Sequence, residues 1–341
     1  MSTVRDRDGV RTRVAASLLL ALLLLALPAA GETFRYDDSW QAHGLTITRQ
    51  GPDGVDATLS LTSWELGVEQ INGRGQAVVH VPGVMLPNDA GAPNLPGFSR
   101  FLALPAGATA RVRIVASRSE TIADVDLAPA PVIPLETEDG PLVFDRDAAI
   151  YGTDAPYPAE IVRLGEVSEI RGVDAVMLGI TPFQYNPISR ELTVYRDLEL
   201  EVEFTGGAGE VGDPRLRSRW FDPILRDVFA NDELLPAAPP APPAGARTPD
   251  FEYVIITPPA TSYVAWADTL ARFRNQQGIR TGVFTTAEIG GNTTSAIENF
   301  IDDAYASWDV PPVAVLLMGD YGSDDTTIMS PTWDNYCVSD H

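Results

Sequence analysis

Cysteine and histidine are the residues that could supply a nucleophile and a base, and both are scarce in this chain. Cys337 is the only cysteine, with His341 four residues after it, and His43 precedes Gly44 near the opposite end. A thiolate activated by histidine attacks carbonyl carbons. Enzymes that use this pair bring it together from distant segments, so the spacing favours a non-nucleophilic Cys337. The spacing therefore argues against a catalytic pair of Cys337 and His341, and His43 and His80 are interpreted as structural.

A second candidate site is acidic. The apolar run 313–318 is followed by Gly319 and Asp320, and Asp324 and Asp325 come shortly after. Ligands of open α/β sheets bind at the carboxyl ends of the strands, and calcium prefers carboxylate and carbonyl oxygens. Asp320 is therefore a candidate calcium ligand. The alternative is a turn cap or a solvated loop, which is the commoner role of such aspartates.

Residues 1–31 have the pattern of a secretory signal. Four arginines precede the apolar run 14–27, and cleavage is expected after Ala30 or Gly31. The alternative is a membrane anchor, but this run is shorter than the roughly 20 residues that span a bilayer. We expect a secreted, extracellular or cell-surface protein that keeps no stable membrane span once the signal is removed.

Composition limits the possible partners and the number of domains. The net charge is −23, and all 24 basic residues are arginine. Such an acidic chain is a poor ligand for a polyanion, so we expect no nucleic-acid partner. The hydrophobic fraction of 45% indicates folded domains rather than disorder. A length of 341 residues predicts two folded units.

Residues 32–230 predict a β-rich domain, antiparallel and sandwich-like. Short alternating runs lie between Gly, Pro and Asp turns, and the clearest of them is 198–204. Its alternation places apolar residues on one face and three glutamates on the other. A solvated face explains these glutamates better than a cation site.

Residues 231–249 form a Pro/Ala-rich linker, which favours an extended conformation and cannot fill a core. The region 250–341 then predicts α/β structure. Apolar runs and helical spacing give a parallel βαβαβ unit, with 313–318 as a central strand. The first helix is expected to bury Tyr263, Trp266, Leu270 and Phe273. The second, capped by Asn292 or Thr293, is expected to bury Ile297, Phe300, Ile301, Ala304, Tyr305 and Trp308.

Three stretches carry a family likeness. Residues 91–107, which include Gly-Ala-Pro-Asn-Leu-Pro-Gly-Phe-Ser-Arg at 91–100, resemble the start of the propeptide of gingipain-type cysteine peptidases. Residues 157–187 together with the strand 198–204 resemble a second part of that propeptide. The runs at 253–257, 273–279 and 315–320 resemble the start of the family's caspase-like peptidase domain, truncated here at 341.

The resemblance implies a secreted cysteine endopeptidase zymogen that acts on protein or peptide substrates. In this family a histidine activates a cysteine, and a prodomain contacts the peptidase domain and keeps it inactive. No cofactor is required for the chemistry, and calcium has a structural role near the loop that Asp320 begins. The catalytic pair is expected downstream of His341, so residues 1–341 by themselves should be inactive.

Two other functions are alternatives. A non-enzymatic secreted β-rich binding or adhesion module would explain the acidic strand faces and the missing catalytic pair. A nucleotide-binding βαβ domain is disfavoured because Thr257, Pro258 and Pro259 stand where a Gly-rich phosphate turn would be required.

Arg247 is the candidate processing site between propeptide and peptidase. It is the only charged residue between Glu233 and Asp250, and it lies in the linker. The rival sites are Arg215, Arg217, Arg219 and Arg226. The segment around Trp220 and Phe221 is expected to dock on the peptidase domain and shield them.

Overall fold

The computed structural model describes residues 31–84, 89–135, 140–237, 250–320 and 328, and the backbone of 332–333 and 336–337. Contacts divide the chain into two compact units. The first comprises Met1–Arg100, Ala110–Glu166 and Met177–Glu203. The second comprises Phe101–Thr109, Val167–Val176 and Phe204–His341.

The regular secondary structure of the described residues is mostly β-strand. The strands are β1 (Glu32–Arg35), β2 (Gly44–Gly51), β3 (Gly54–Ser60), β4 (Ser63–Ile71), β5 (Arg74–His80), β6 (Phe98–Ala103), β7 (Ala108–Ile122), β8 (Val162–Leu164), β9 (Ser168–Ile170), β10 (Val173–Ile180), β11 (Phe183–Asn186), β12 (Glu191–Gly206), β13 (Tyr253–Thr257), β14 (Thr281–Thr285), β15 (Ala314–Leu317), β16 (Thr332–Trp333) and β17 (Tyr336–Cys337). The helices are α1 (Ala148–Tyr151), α2 (Asp222–Val228), α3 (Thr261–Gln276) and α4 (Thr294–Ser307), with 3₁₀ turns at Pro214–Leu216 and Asp232–Leu234.

The first unit contains two antiparallel sheets that share a core. One has the order β1-β4-β5, and the other has the order β11-β12-β3-β2, with β7 also paired to β12. Side chains from both sheets meet in one buried cluster that includes Trp64 of β4, Val79 of β5, Phe183 of β11 and Val194 of β12. This arrangement confirms the β-rich, sandwich-like prediction. A third sheet has the order β6-β10-β8, with β9 paired to β10.

The alternation predicted for 198–204 is present in β12. Leu198, Leu200 and Val202 are fully buried, and they pair with Leu59, Ala57 and Val55 of β3. Glu199 and Glu203 on the opposite face are exposed. Each buried leucine or valine contributes about 1.5–3 kcal/mol relative to an exposed one, so this face fixes the register of β12.

Asp197 lies one residue before this run. The sequence did not predict that it would be buried, yet its side chain is fully buried. Its carboxylate accepts hydrogen bonds from the Ser60 hydroxyl at 2.7 Å, the Trp40 backbone N–H at 2.9 Å and the Arg118 Nε–H at 2.9 Å. Arg118 also donates to Asp38 at 2.9 Å. A buried carboxylate is tolerated because its partners replace the water it has lost.

The second unit contains the parallel sheet, with the order β14-β13-β15. Both β14 and β15 run parallel to β13. Val254 and Ile256 of β13 pack with Ile297 of α4, whereas Ile255 packs with Ala267 and Ala271 of α3. The two helices therefore cover opposite faces of the sheet, and the βαβαβ prediction is confirmed.

One detail of that prediction, the buried face of α3, is wrong. Among the described strands β13 pairs on both edges and β15 pairs with β13 alone, so a central position of β15 in the sheet stays a prediction. In α3 the side chains of Trp266 and Phe273 are 65% and 53% exposed. The helix is rotated so that alanines spaced four residues apart meet the sheet, because small side chains let the backbone approach closely. In α4 the cap is Thr293, whose Oγ1 accepts from the Ala296 N–H at 3.2 Å, and the predicted core residues Ile297 and Ala304 are buried.

The predicted linker 231–249 is described only as far as Ala237, and its remaining residues, with Arg247, lie outside the described part of the chain. Leu235 is buried in a cluster with Leu225 and Phe229. Asn231, also fully buried, accepts from the Ala103 N–H at 2.8 Å and donates to the Ala103 carbonyl at 2.9 Å. The boundaries at 31/32, 230/231 and 249/250 remain predictions.

We predict that Asp197→Ala lowers the free energy of unfolding by about 3–5 kcal/mol, because it leaves Arg118 without a buried partner and Ser60 without an acceptor. Glu199→Ala, two residues along β12 on the exposed face, is the matched control and should change it by less than about 0.5 kcal/mol. Guanidinium unfolding of residues 32–341 measures both. Equal effects of the two substitutions would contradict the assignment.

Candidate functional site

The residues proposed for chemistry are only partly described. Cys337 lies in β17, of which the backbone alone is described, and His341, Arg247 and Ala30 lie outside the described residues, whereas Gly31 is the first residue within them. The expectations about catalysis, processing and signal cleavage therefore stay predictions.

His43 has a structural environment in the first unit. Its Nδ1 accepts from the Thr62 backbone N–H at 3.2 Å and lies 3.1 Å from the Thr62 hydroxyl oxygen. Its ring makes an edge contact with Phe98 at a centroid distance of 6.0 Å. Burial lowers the pKa of His43, which favours the neutral imidazole that this acceptor role requires. His80 lies in β5, opposite Glu65 of β4.

Asp320 lies just after β15, at the carboxyl end of the parallel sheet, and it is exposed. Its carbonyl accepts from the Ile328 N–H at 3.0 Å, and nearby the Thr257 hydroxyl donates to the Met318 carbonyl at 3.0 Å. Calcium requires six to eight oxygen ligands. Within the described residues no three His, Cys, Asp or Glu side chains are grouped for a metal, and Asp324 and Asp325 lie outside them. A calcium site at Asp320 stays a prediction.

Within the second unit, polar contacts join residues 167–176 and 204–237 to the parallel-sheet segment 250–320. Arginines make them, and Arg215 is the first. Its Nη1 donates to the carbonyls of Ala306 and Trp308 at 3.0 and 3.3 Å, and Asp213 holds the other side of the guanidinium at 2.7 Å. These carbonyls lie at the C-terminus of α4, where the helix dipole favours a cation.

Glu252 receives the second part of the contact. Its Oε1 accepts from the Trp220 indole N–H at 3.2 Å, and its Oε2 accepts from Arg219 at 3.3 Å and from the Arg280 backbone N–H at 3.1 Å. Arg219 also donates to the Gly278 carbonyl. The Glu252 side chain is only 12% exposed, so the donors replace most of its hydration.

Arg171 makes the third part. Its guanidinium carbon lies 4.2 Å from the ring centre of Phe221 and 5.4 Å from that of Tyr305 of α4. It donates to the carbonyls of Leu216 at 3.1 Å and Pro312 at 3.3 Å. Burial lowers the pKa of this arginine, although the rings and carbonyls still favour its charged form.

The backbone of the β9–β10 turn positions Arg171. Arg171 and Gly172 have φ values of 50° and 73°, as in a two-residue hairpin turn of type I′. A Cβ on Gly172 would lie 2.3 Å from Leu216, so only glycine fits beneath the arginine.

An apolar groove of about 270 Å³ runs beside these polar contacts. It is lined by Trp220, Phe221, Ile224, Tyr253, Arg274, Ile279, Val313 and Ala314. The segment around Trp220 and Phe221 therefore lies against the parallel-sheet segment, as the sequence predicted. The arrangement anchors one segment on another by guanidinium, indole and apolar contacts. Among the residues that the structure describes there, it brings together no nucleophile and base.

No sequence pattern predicted a role for Glu252, Arg171 or the carbonyls that accept from the arginines. An acid immediately before a buried parallel strand and an Arg-Gly pair in a tight turn are the signals that could have identified the first two. The carbonyl acceptors could not be identified from the sequence, because every residue has a backbone carbonyl. Within the described residues, no helix has the length and apolar composition needed to cross a membrane.

Comparison with known families gives two matches along the chain. Propeptide_C25 matches residues 62–233, about half of the chain, and Peptidase family C25 matches residues 246–341. The first confirms the propeptide resemblance, and the second confirms that the start of a peptidase domain follows it.

Among curated proteins, the chain is 27% identical over 262 residues to gingipain R2 of Porphyromonas gingivalis (strain ATCC BAA-308 / W83), covering 75% of this chain and 34% of that protein. It is 26% identical over 218 residues to a Lys-gingipain of the same species, covering 62% and 13%. The chain thus spans about a third, or less, of the length of these relatives. A solved complex of the Porphyromonas gingivalis RgpB pro- and mature domains has a similar fold. Its TM-score is 0.50 at 22% identity, covering 56% of this chain and all of that one.

We predict that Glu252→Ala weakens the contact between residues 213–224 and the parallel-sheet segment by about 1–2 kcal/mol, because three donors lose their acceptor. Hydrogen exchange of the Trp220 indole and of the α2 amides in the intact chain should accelerate. Glu298→Ala on the exposed face of α4 is the matched control and should leave that exchange unchanged. If Glu252→Ala also left it unchanged, Glu252 would not be an anchor.

Proposed function

The chain belongs to the C25 propeptide family, with the start of a C25 peptidase domain behind the propeptide, and we propose that it is the N-terminal part of a secreted cysteine endopeptidase zymogen. The observation that carries the proposal is the order of the two family matches on one chain, residues 62–233 and then 246–341. A propeptide directly preceding a peptidase is the arrangement of an enzyme made in latent form.

The contacts of the second unit support this proposal. Arg171, Arg215 and Arg219 belong to the propeptide match, whereas Glu252 and the carbonyls of Ala306, Trp308 and Pro312 belong to the peptidase match. These residues hold the propeptide on the peptidase before any cleavage. Removing the propeptide would have to break each of these contacts.

The chemistry we propose is that of the family. A histidine and a cysteine expected downstream of His341 would form the catalytic pair, in which the thiolate attacks the scissile carbonyl and gives an acyl-enzyme. Substrates would be proteins or peptides, and the signal at residues 1–31 would direct the protein out of the cell. The described residues contribute docking and latency rather than bond cleavage.

We predict that the product of the whole reading frame hydrolyses peptide substrates after losing its propeptide, and that alkylation by iodoacetamide abolishes this activity. Residues 32–341 alone should be inactive, because the nucleophile is expected beyond them. Cys337→Ser in the whole protein is the matched control and should keep full activity.

The outcome separates the two function classes. Activity that survives alkylation, or that depends on Cys337, would refute the proposed placement of the nucleophile. A complete protein without hydrolytic activity that binds a surface or a partner would favour the adhesion module instead.

We further predict that activation cleavage follows Arg247, so that the mature enzyme begins at Thr248. The linker composition favours an extended chain, the form in which peptidases bind their targets. Arg247→Ala should abolish this terminus. Arg247→Lys keeps the charge and distinguishes an arginine-specific processing enzyme from one that needs any cation. N-terminal sequencing provides the readout, and a mature terminus upstream of Leu234 would refute the site.

A further inference from the structure

Four arginines precede the linker within 12 residues, at 215, 217, 219 and 226, and each would match an arginine-directed peptidase by sequence. Such a peptidase must draw the arginine side chain into its pocket and extend several residues of backbone on either side. A site in ordered structure is therefore cut only as fast as that structure opens locally. The contacts of these four side chains therefore determine how fast an arginine-directed peptidase can cleave after each of them.

Arg215 and Arg219 are engaged by the peptidase segment. The guanidinium of Arg215 is shared between Asp213 and the last carbonyls of α4, and that of Arg219 is shared between Glu252 and the Gly278 carbonyl. Either side chain must leave at least two acceptors to enter another pocket. Charge-assisted hydrogen bonds of this kind are stronger than neutral ones.

Arg217 is enclosed completely. Its side chain is fully buried, paired with Asp222, and its Nη1 donates to the Pro236 carbonyl at 2.6 Å. Desolvation lowers its pKa, with Arg226 nearby adding to the effect. Because Leu235 next to Pro236 is buried as well, Arg217 fixes the segment at 235–236 to the core of the propeptide.

Arg226 lies on α2, and its side chain is 43% exposed, similar to that of Arg215 at 41% and that of Arg219 at 48%. It donates to Asp222 at 2.9 Å and to Asp232 at 3.0 Å. Asp232 belongs to the short 3₁₀ turn that leads to Leu235. Arg226 therefore ties α2 to the same terminal segment that Arg217 holds from inside.

We propose that these contacts form a protection device. Arg217 is enclosed, and the partly exposed side chains of Arg215, Arg219 and Arg226 are each held by at least two acceptors in ordered structure, so that arginine-directed cleavage near the linker is confined to the chain beyond Pro236. On the other side, the Asp250 carboxylate is 3% exposed and accepts from the Val310 N–H at 3.2 Å, which anchors the start of the peptidase segment. The sequence between these anchors contains one cation, Arg247. The biological meaning of this inference depends on the proposed zymogen function, whereas the protection itself does not.

Trypsin is a suitable probe, since the chain contains no lysine and every tryptic site is an arginine. Intact residues 32–341 are digested briefly, and the fragments are quantified by mass spectrometry over time. Cleavage after Arg247 should come first in this region, and the four protected sites should be cut at least about tenfold more slowly. Cutting at Arg219 or Arg226 as fast as at Arg247 would overturn the proposal.

Two variants test the mechanism. Arg217→Met keeps a long apolar side chain but removes the donor to Pro236, and it should raise the rate of cleavage after Arg226 by about tenfold. The matched control is Arg163→Met, at an exposed arginine of β8. Asp222→Asn combined with Asp232→Asn should raise cleavage after Arg226 about two- to fivefold, whereas Glu233→Gln should not.

If Arg217→Met does not fold, its cooperative thermal melt will be lost. The order of cleavage in the wild-type chain and the rates in the Asp222/Asp232 double variant would then still test whether the four arginines are protected. Unchanged cleavage after Arg226 in that double variant would refute the role of these carboxylates. Tryptic protection combined with a mature terminus elsewhere would refute processing at Arg247 while leaving the protection device intact.

Discussion

The constraint on which this structure depends is that every positive charge is a guanidinium. The chain contains 24 arginines and no lysine. A guanidinium has five N–H donors in a plane and stacks on aromatic rings, so one side chain can satisfy several acceptors. Arg118 joins Asp38 to the buried Asp197, and Arg171 joins two carbonyls and two rings. Arginines therefore serve here as cross-links in an otherwise acidic protein.

The same property explains how the propeptide is held on the peptidase segment. Apart from Glu252, the acceptors on that segment are backbone carbonyls at the ends of elements, namely those of Gly278, Ala306, Trp308 and Pro312. Those of Ala306 and Trp308 lie at the C-terminus of α4, where the last carbonyls have no partner within the helix. Satisfying them with propeptide arginines stabilises both sides of the contact and, in the protection device that we propose, slows cleavage after those arginines. One set of interactions thus accounts for docking and for protection.

Local patterns were sufficient for much of the fold. Strict alternation gave the buried face of β12, and helical spacing with a threonine cap gave α4, because a half-buried strand or helix repeats its burial at a fixed period. The same reasoning failed for α3, where Trp266 and Phe273 are exposed and two alanines meet the sheet. Hydrophobicity predicted that the aromatic residues of α3 would be buried against the sheet. The close approach of helix and sheet required small side chains there instead.

The sequence by itself determined the order of the parts: a signal-like start, a β-rich segment, a Pro/Ala linker and a βαβαβ segment, with the family resemblance that this order carries. Composition and hydrophobic period are properties of residues that are neighbours in the sequence, so they can be read without a structure. Tertiary structure alone decided that Asp197 is a buried ion-pair partner, that Glu252 receives Trp220 and Arg219, and that Arg217 is enclosed against Pro236. These pairings join residues that are distant in the chain or acceptors of the backbone, and only the packing of the folded chain brings such groups within hydrogen-bond distance.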